Sequence, residues 1–303
     1  TVVVLARLQQ LTTLALLAAA LAWAVWLWPS RPVLALLGAG LILLGHALIL
    51  AAEFVLVWRV NRADPLGAPP FGQLVRAWLA ESLMAPRVFC WRQPFRSRAV
   101  PDQLDAACCR PGAVGVVLIH GFVCNRGFWT PWLRALRANG HAFVAVNLEP
   151  VFGSIDAYAP IIEQAVQRVA VLTGRPPVLV AHSMGGLAAR AWLRSTGGTD
   201  RVAHVITIGT PHRGTWLGRF SHVVNGRQMR LGGDWVTDLG QRVAPDTHAG
   251  FTCWYSNCDN IVFPASTATL PGADNRLLYG AAHVELAFRT EVMGASLAKI
   301  ASL

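Results

Sequence analysis

Charge is what this 303-residue sequence has least of: Asp, Glu, Lys and Arg make up 14% of it, against roughly 25% in typical soluble domains. The shortage is uneven. Leu11 to Trp28 carries no charge, and Val33 to Trp58 is apolar apart from His46 and Glu53. About 20 apolar residues suffice to cross a bilayer. No small-residue cleavage site follows the first run, which argues against a removed signal peptide. The six cysteines (Cys90, Cys108, Cys109, Cys124, Cys253 and Cys258) form no CxxC pair with histidine partners, which argues against a zinc site. Internal repeats and low-complexity tracts are missing. So is a basic stripe interleaved with aromatics. The net charge of +10, nearly all of it arginine, is therefore not read as nucleic-acid binding. Attraction to anionic headgroups suits it better.

What is present falls into three parts. Residues 1–60 predict a transmembrane helical hairpin, about 11–28 and 33–58, turning at Pro29-Ser30-Arg31-Pro32. Arg7 precedes the hairpin, and Arg59, Arg62 and Arg76 follow it. The positive-inside rule then predicts a two-pass protein of the inner, cytoplasmic membrane with its downstream domain in the cytoplasm. There the cysteines are free thiols; on the periplasmic side, Cys253 with Cys258 is a plausible bridge. Glu53 reads as an interfacial residue near the end of the second span. Residues 61–112 are a Pro- and Arg-rich linker. Within it Phe71, Leu74, Val75, Trp78, Leu79 and Leu83 form a helical stripe, suited either to the membrane surface or to packing on the domain.

Residues 113–303 alternate short apolar runs with helical stretches. Strands are predicted at VVLIHGF, HAFVAVNLEP, PPVLVAHS, RVAHVITIGTPH, FTCWYSNCD and near RLLYG, with a final helix from about Val284 to Ile300. The fold class is α/β, a mostly parallel sheet covered by helices. In such sheets a site lies beyond the carboxyl ends of the strands.

Those ends hold the unusual residues. Ser183 stands between a strand and a helix in AHSMGG, with Ala181 two before it and Gly185 two after. Small residues there allow a tight turn that lifts a nucleophile off the backbone, and the following helix directs N–H groups at developing negative charge. A serine needs a base to take its proton. An ester carbonyl under attack needs two amide donors; those of Met184 and of Phe122 in LIHGF are the candidates. His120 reads as shaping that loop. Among downstream histidines, His204 and His212 belong to a strand and its end, whereas His283 in GAAHVELAF lies between a strand and the last helix, where a mobile base belongs. Asp259 in SNCDNIV ends a strand and is the preferred acid over Asp246 and Asp274.

In this order HGF, AHSMGG, IGTPHRGT, SNCDNIV and GAAHVELAF resemble the bacterial lipases and esterases of the α/β-hydrolase superfamily, over roughly residues 114–300. The elbow departs from GxSxG in carrying Ala181. The resemblance implies an α/β-hydrolase fold, a Ser183, Asp259 and His283 triad, and oxyanion donors at Phe122 and Met184. No matching carboxylate pair for a structural calcium is found, so neither metal nor cofactor is expected.

The insert from Gly214 to Gly250 is rich in apolar residues among glycines and arginines, suiting a lid over an acyl pocket or a packed cap. Phe128, Trp129 and Trp216 are candidate acyl-site residues. With a membrane anchor, these features favour a lipid ester, including a phospholipid, as substrate. An acyltransferase or thioesterase using the same triad is the alternative, and a non-catalytic membrane scaffold is a further one.

Overall fold

The computed structural model describes residues 4–197, 200–241 and 245–303, without the side chains of 245–247. Six parallel strands form one sheet: β1 (Val116–Ile119), β2 (Phe143–Ala145), β3 (Val178–His182), β4 (His204–Ile208), β5 (Phe251–Tyr255) and β6 (Asp274–Leu277). Their spatial order is β2-β1-β3-β4-β5-β6. The register pairs Leu118 with Val180, Ala181 with Thr207 and Thr207 with Cys253. The four inner strands are buried along nearly their whole length, which is why they read as continuous apolar runs.

The N-terminal helices are α1 (Val4–Leu27), α2 (Pro32–Asn61) and α3 (Phe71–Pro86). A wider π-helical turn, Arg87–Arg92, joins α3 to α4 (Gln93–Arg96). Crossover helices α5 (Thr130–Ala138), α6 (Ala159–Thr173) and α7 (Met184–Thr196) follow. The insert contains α8 (Val224–Gln228) and α9 (Asp234–Gln241). The expected final helix is two, α10 (His283–Leu286) and α11 (Thr290–Ala301), because the chain leaves helical geometry at Arg289.

Side chains alternate across the sheet, so each strand feeds two cores. Val117, Ile119, Leu179 and Ala181 meet α6 and α7 on one face. Val116, Leu118, Val178 and Val180 meet α5 and α11 on the other. Trp132 and Trp192, fully buried, fill opposite layers.

Helices α1 and α2 are both long and apolar enough to cross a membrane. They form a hairpin in which the Trp23 ring lies over Gly38, where a Cβ would collide with it. Most of their leucines are exposed. The start of α1 bonds α4 through Gln9 and Gln10, and the last third of α2 packs into the molecule. There Phe54 and Val57 pack with Leu74 and Ala77 of α3 and with Cys258, Phe263 and Ala282 of the sheet domain. The α3 stripe is thus partly used for packing, while Phe71, Leu79 and Leu83 stay exposed. Cys253 and Cys258 are free thiols buried in different cores, so the structure does not form the bridge considered for them.

Candidate active site

The chain leaves β3 at His182 and enters α7 at Met184, with Ser183 alone at the corner (φ 55°, ψ −128°). This turn requires Gly185. A Cβ there would meet the backbone oxygens of Ile119 and His120 at 2.4 and 2.6 Å. Ser183 has the backbone strain of a nucleophile elbow. One other non-glycine among the described residues has positive φ, Val123 (φ 53°). A β-branched residue in that region is an outlier, and it directly follows Phe122. The loop that holds Val123 touches the corner: a Cβ on Gly121, two residues before it, would lie 2.8 Å from the Ser183 Cβ. The amides of Phe122 and Met184 make no hydrogen bond among the described residues, so both remain free to donate. His120 is tied into this loop, bonding Gly121 O through Nδ1 and accepting from the Leu148 amide through Nε2. Burial pushes its pKa down to about 4, so it is neutral.

The candidate acid and base, Asp259 and His283, come from the loops after β5 and β6. Asp259 Oδ1 accepts from the amides of Ile261 and Val262 at 2.9 and 2.7 Å. Its Oδ2 stands 2.9 Å from His283 Nδ1. Gly209 (φ 56°) passes close to the pair: a Cβ would sit 3.0 Å from Asp259 Oδ2 and 3.3 Å from His283 Nδ1, so either group would have to shift. Burial alone would lower the pKa of His283. The adjacent Asp259 carboxylate outweighs it, with Glu81 and Glu53 farther off, and the net shift is upward. The Asp259 bond occupies Nδ1 and leaves Nε2 to take a proton. The His283 ring lies 4.6 Å from that of His182, the residue before Ser183. No hydrogen bond joins Ser183 Oγ to the imidazole among the described residues; such contacts often tighten only when substrate binds.

Other histidines and acids are elsewhere. His204 bonds Thr252, His212 bonds Thr207, His248 bonds Pro271 O, and Asp274 pairs with Arg276 on the edge strand. The Asp246 side chain lies outside the described residues. Among the described residues no three His, Cys, Asp or Glu side chains are grouped as metal ligands are. Two expected acyl-site residues lie in closed core. Phe128 and Trp129 are 0% exposed. Phe128 stacks on His182 at 4.4 Å and Trp129 packs on Trp132, so both fill core behind the serine. Trp216 is half-buried beside the acid loop, stacked on Phe263. Much of its insert is a packed cap: Met229, Val236 and Leu239 join the core, and Arg194 pairs with Asp238 of α9. Residues 242–244 of the insert lie outside the described residues.

Sequence reasoning missed how the acid and base loops are held. Four successive amides, Ala282 to Glu285, all donate to side-chain oxygens. Glu285 accepts from Ala282, and Asn260 Oδ1 from His283. Glu81 of α3 accepts from Val284 and Glu285 at 2.9 and 3.0 Å. Glu53 of α2 accepts from Asn260 Nδ2 at 2.7 Å. Burial pushes the Glu81 carboxyl up to about 7. The signal was there. Glu81 falls seven residues after Leu74, on an otherwise apolar stripe, and Glu53 is the one acidic residue in its span.

Two solved structures share this architecture. A mature-form lipase from Bacillus licheniformis superposes with TM-score 0.56 at 16% identity, over 64% of this chain and 94% of that one. Lipase B from Aspergillus fumigatus gives TM-score 0.53 at 17% identity, over 67% of this chain and 56% of that one. The family model described as alpha/beta hydrolase family matches residues 116–293. The strained serine corner, the strand order and this match together place the chain in the alpha/beta hydrolase family.

Proposed function

We propose that this protein is a membrane-anchored serine hydrolase that cleaves carboxylic esters of lipids. The observation that carries the hydrolytic part is the convergence of the strained Ser183 corner, the strained oxyanion loop at Val123 and the Asp259–His283 pair at one end of the sheet. In the reaction His283 Nε2 takes the proton of Ser183 Oγ as the oxygen attacks the ester carbonyl. The amides of Phe122 and Met184 hold the resulting oxyanion. The intermediate collapses to an acyl-serine, and the imidazolium returns its proton to the departing alcohol. Water, activated by the same imidazole, then releases the acid. Asp259 holds the ring in the tautomer that presents Nε2 and stabilises its charged form.

The lipid part rests on placement. Glu53, bonded to the residue after Asp259, lies eight residues before the end of α2, about 12 Å along a helix. A 30-residue helix is about 45 Å long, against a hydrocarbon core of about 30 Å. The last third of α2 can therefore leave the bilayer and carry the site at its surface. Trp216 on the acid-loop side is the acyl-wall candidate.

The test is hydrolysis of p-nitrophenyl esters from short to long acyl chains by the detergent-solubilised protein, with Ser183→Ala beside it. Serine-dependent turnover that peaks at long chains is expected. The substitution should cost at least about 1,000-fold and abolish labelling by a fluorophosphonate. A short-chain optimum would remove the lipid from the proposal. Folded wild-type protein that neither hydrolyses nor labels would overturn it.

A further inference from the structure

We propose that Glu81 and Glu53 are positioning residues for His283, so that the N-terminal helices complete the acid–base half of the site as well as anchor it. This rests on the hydrolase reading above. The general base sits at the start of α10, a helix of only four residues, too short to hold itself in place. Its position is set by what its loop is bonded to. Gly280 donates to Asn257 Oδ1 and Ala281 to Ser256 Oγ, and the next four amides are taken as described above. Much of this net is anchored outside the sheet domain. Glu81 supplies the acceptors for Val284 and Glu285, the two amides that follow His283 in the first turn of α10. Gln73 Oε1 accepts from Asn257 Nδ2 and so orients that amide. Glu53 does the same for Asn260: by taking Nδ2 it leaves Oδ1 turned toward the His283 amide.

The acid loop is held from the same side. Asn61 donates to Asn257 O and accepts from the Ala265 amide, and Asp64 accepts from the Ser266 amide. These bonds bracket Asp259. Arg76 and Arg289 face Glu285, whose other oxygen holds the Ala282 amide. Buried carboxylates are costly unless hydrogen-bonded. Glu81 and Glu53 find their partners in the loops that carry the base and the acid. A span serving only as an anchor has no need of either.

The experiment uses the full chain in detergent, with active sites counted by a fluorophosphonate burst so that rates refer to competent molecules. Glu81→Ala should lower kcat by about 10- to 100-fold, the range for residues that support a ligating or reacting group, with KM changed less than about twofold. Glu81→Gln keeps one acceptor but turns its NH2 on the second amide, so kcat should stay about 3- to 10-fold below wild type, a smaller loss than in Glu81→Ala. Glu53→Leu, which leaves the span apolar, should lower kcat by about 5- to 10-fold, a step below that range. Gln10→Leu breaks a bond from α1 to Pro94 O, away from these loops, and should leave kcat unchanged. The proposal is overturned if Glu81→Gln and Glu53→Leu both turn over at the wild-type rate per site. It is equally overturned if Gln10→Leu is as slow as they are, which would mean general loosening. Should Glu81→Ala fail to fold, those three variants decide the matter. An inactive, unlabelled wild type would instead defeat the hydrolase reading.

Discussion

The serine half of the site and the acid–base half are built on different principles. Ser183, Met184 and Phe122 are placed by two neighbouring strands, β1 and β3, and by glycines that let backbones touch. Everything needed lies within a few residues of each functional group. Asp259 and His283 sit on loops after β5 and β6 that are only partly held by their own side chains. Several of their amides are satisfied by side chains up to 204 positions away, Glu81 on α3 and Asn61 on α2. The serine half is rigid because its backbone has one way to pass. The other half is rigid only while its polar partners are present. Substitutions in the first should therefore act through sterics, and in the second through lost hydrogen bonds.

The largest effect that separates them is expected from Asp259→Asn. It keeps shape and removes the charge that orients and stabilises the imidazolium. A kcat loss on the order of 10³ to 10⁴ is expected, with little change in burst amplitude at long incubation. The pH profile sharpens this. In the wild type the base must be neutral, and Asp259 holds the pKa of His283 above its ordinary value of about 6.5. Activity should thus fall as pH drops through a midpoint above that value. In Asp259→Asn burial is left as the larger influence on the ring, so the midpoint should move down. A midpoint that stays put would mean that His283 does not govern the limb.

Next in size is Gly185→Ala on the serine side. The added methyl meets two backbone oxygens that cannot swing aside. Displacing the corner by a fraction of an ångström to 1 Å should cost about 100-fold in kcat, together with a lower melting temperature. Equal activity and stability would show that the elbow tolerates a Cβ and that its glycine is incidental.

The same division explains what could be read from the sequence. Strand order, the serine corner and the oxyanion loop all have local signatures: apolar runs ending in AHSMGG and LIHGF. Asp259 and His283 could be proposed from their places after strands. Their support could not, because Glu81 and Glu53 meet them only through tertiary packing, and a carboxylate on an apolar stripe looks like a boundary residue. The final helix reads as continuous for a related reason. Its apolar spacing persists through Ala287 and Phe288, while the chain turns extended at Arg289. Phe128 and Trp129 follow the predicted oxyanion loop in sequence, which suggests pocket lining, and the 3₁₀ turn at Arg126–Trp129 directs them into the core.

The smallest expected effect tests that last distinction. Phe128→Leu removes part of a ring stacked on His182 in a closed core, so it should lower stability by about 1 kcal/mol and leave the acyl-length preference where it was. Trp216→Ala trims a half-buried ring beside the acid loop, in contact with Phe263 and Phe220. It should shift the optimum chain length of the p-nitrophenyl series with a smaller change in melting temperature. If Phe128→Leu moves the chain-length optimum and Trp216→Ala does not, the acyl chain passes behind the serine, through the layer here assigned to core. The insert would then be a cap over the acid–base half with no part in choosing substrate.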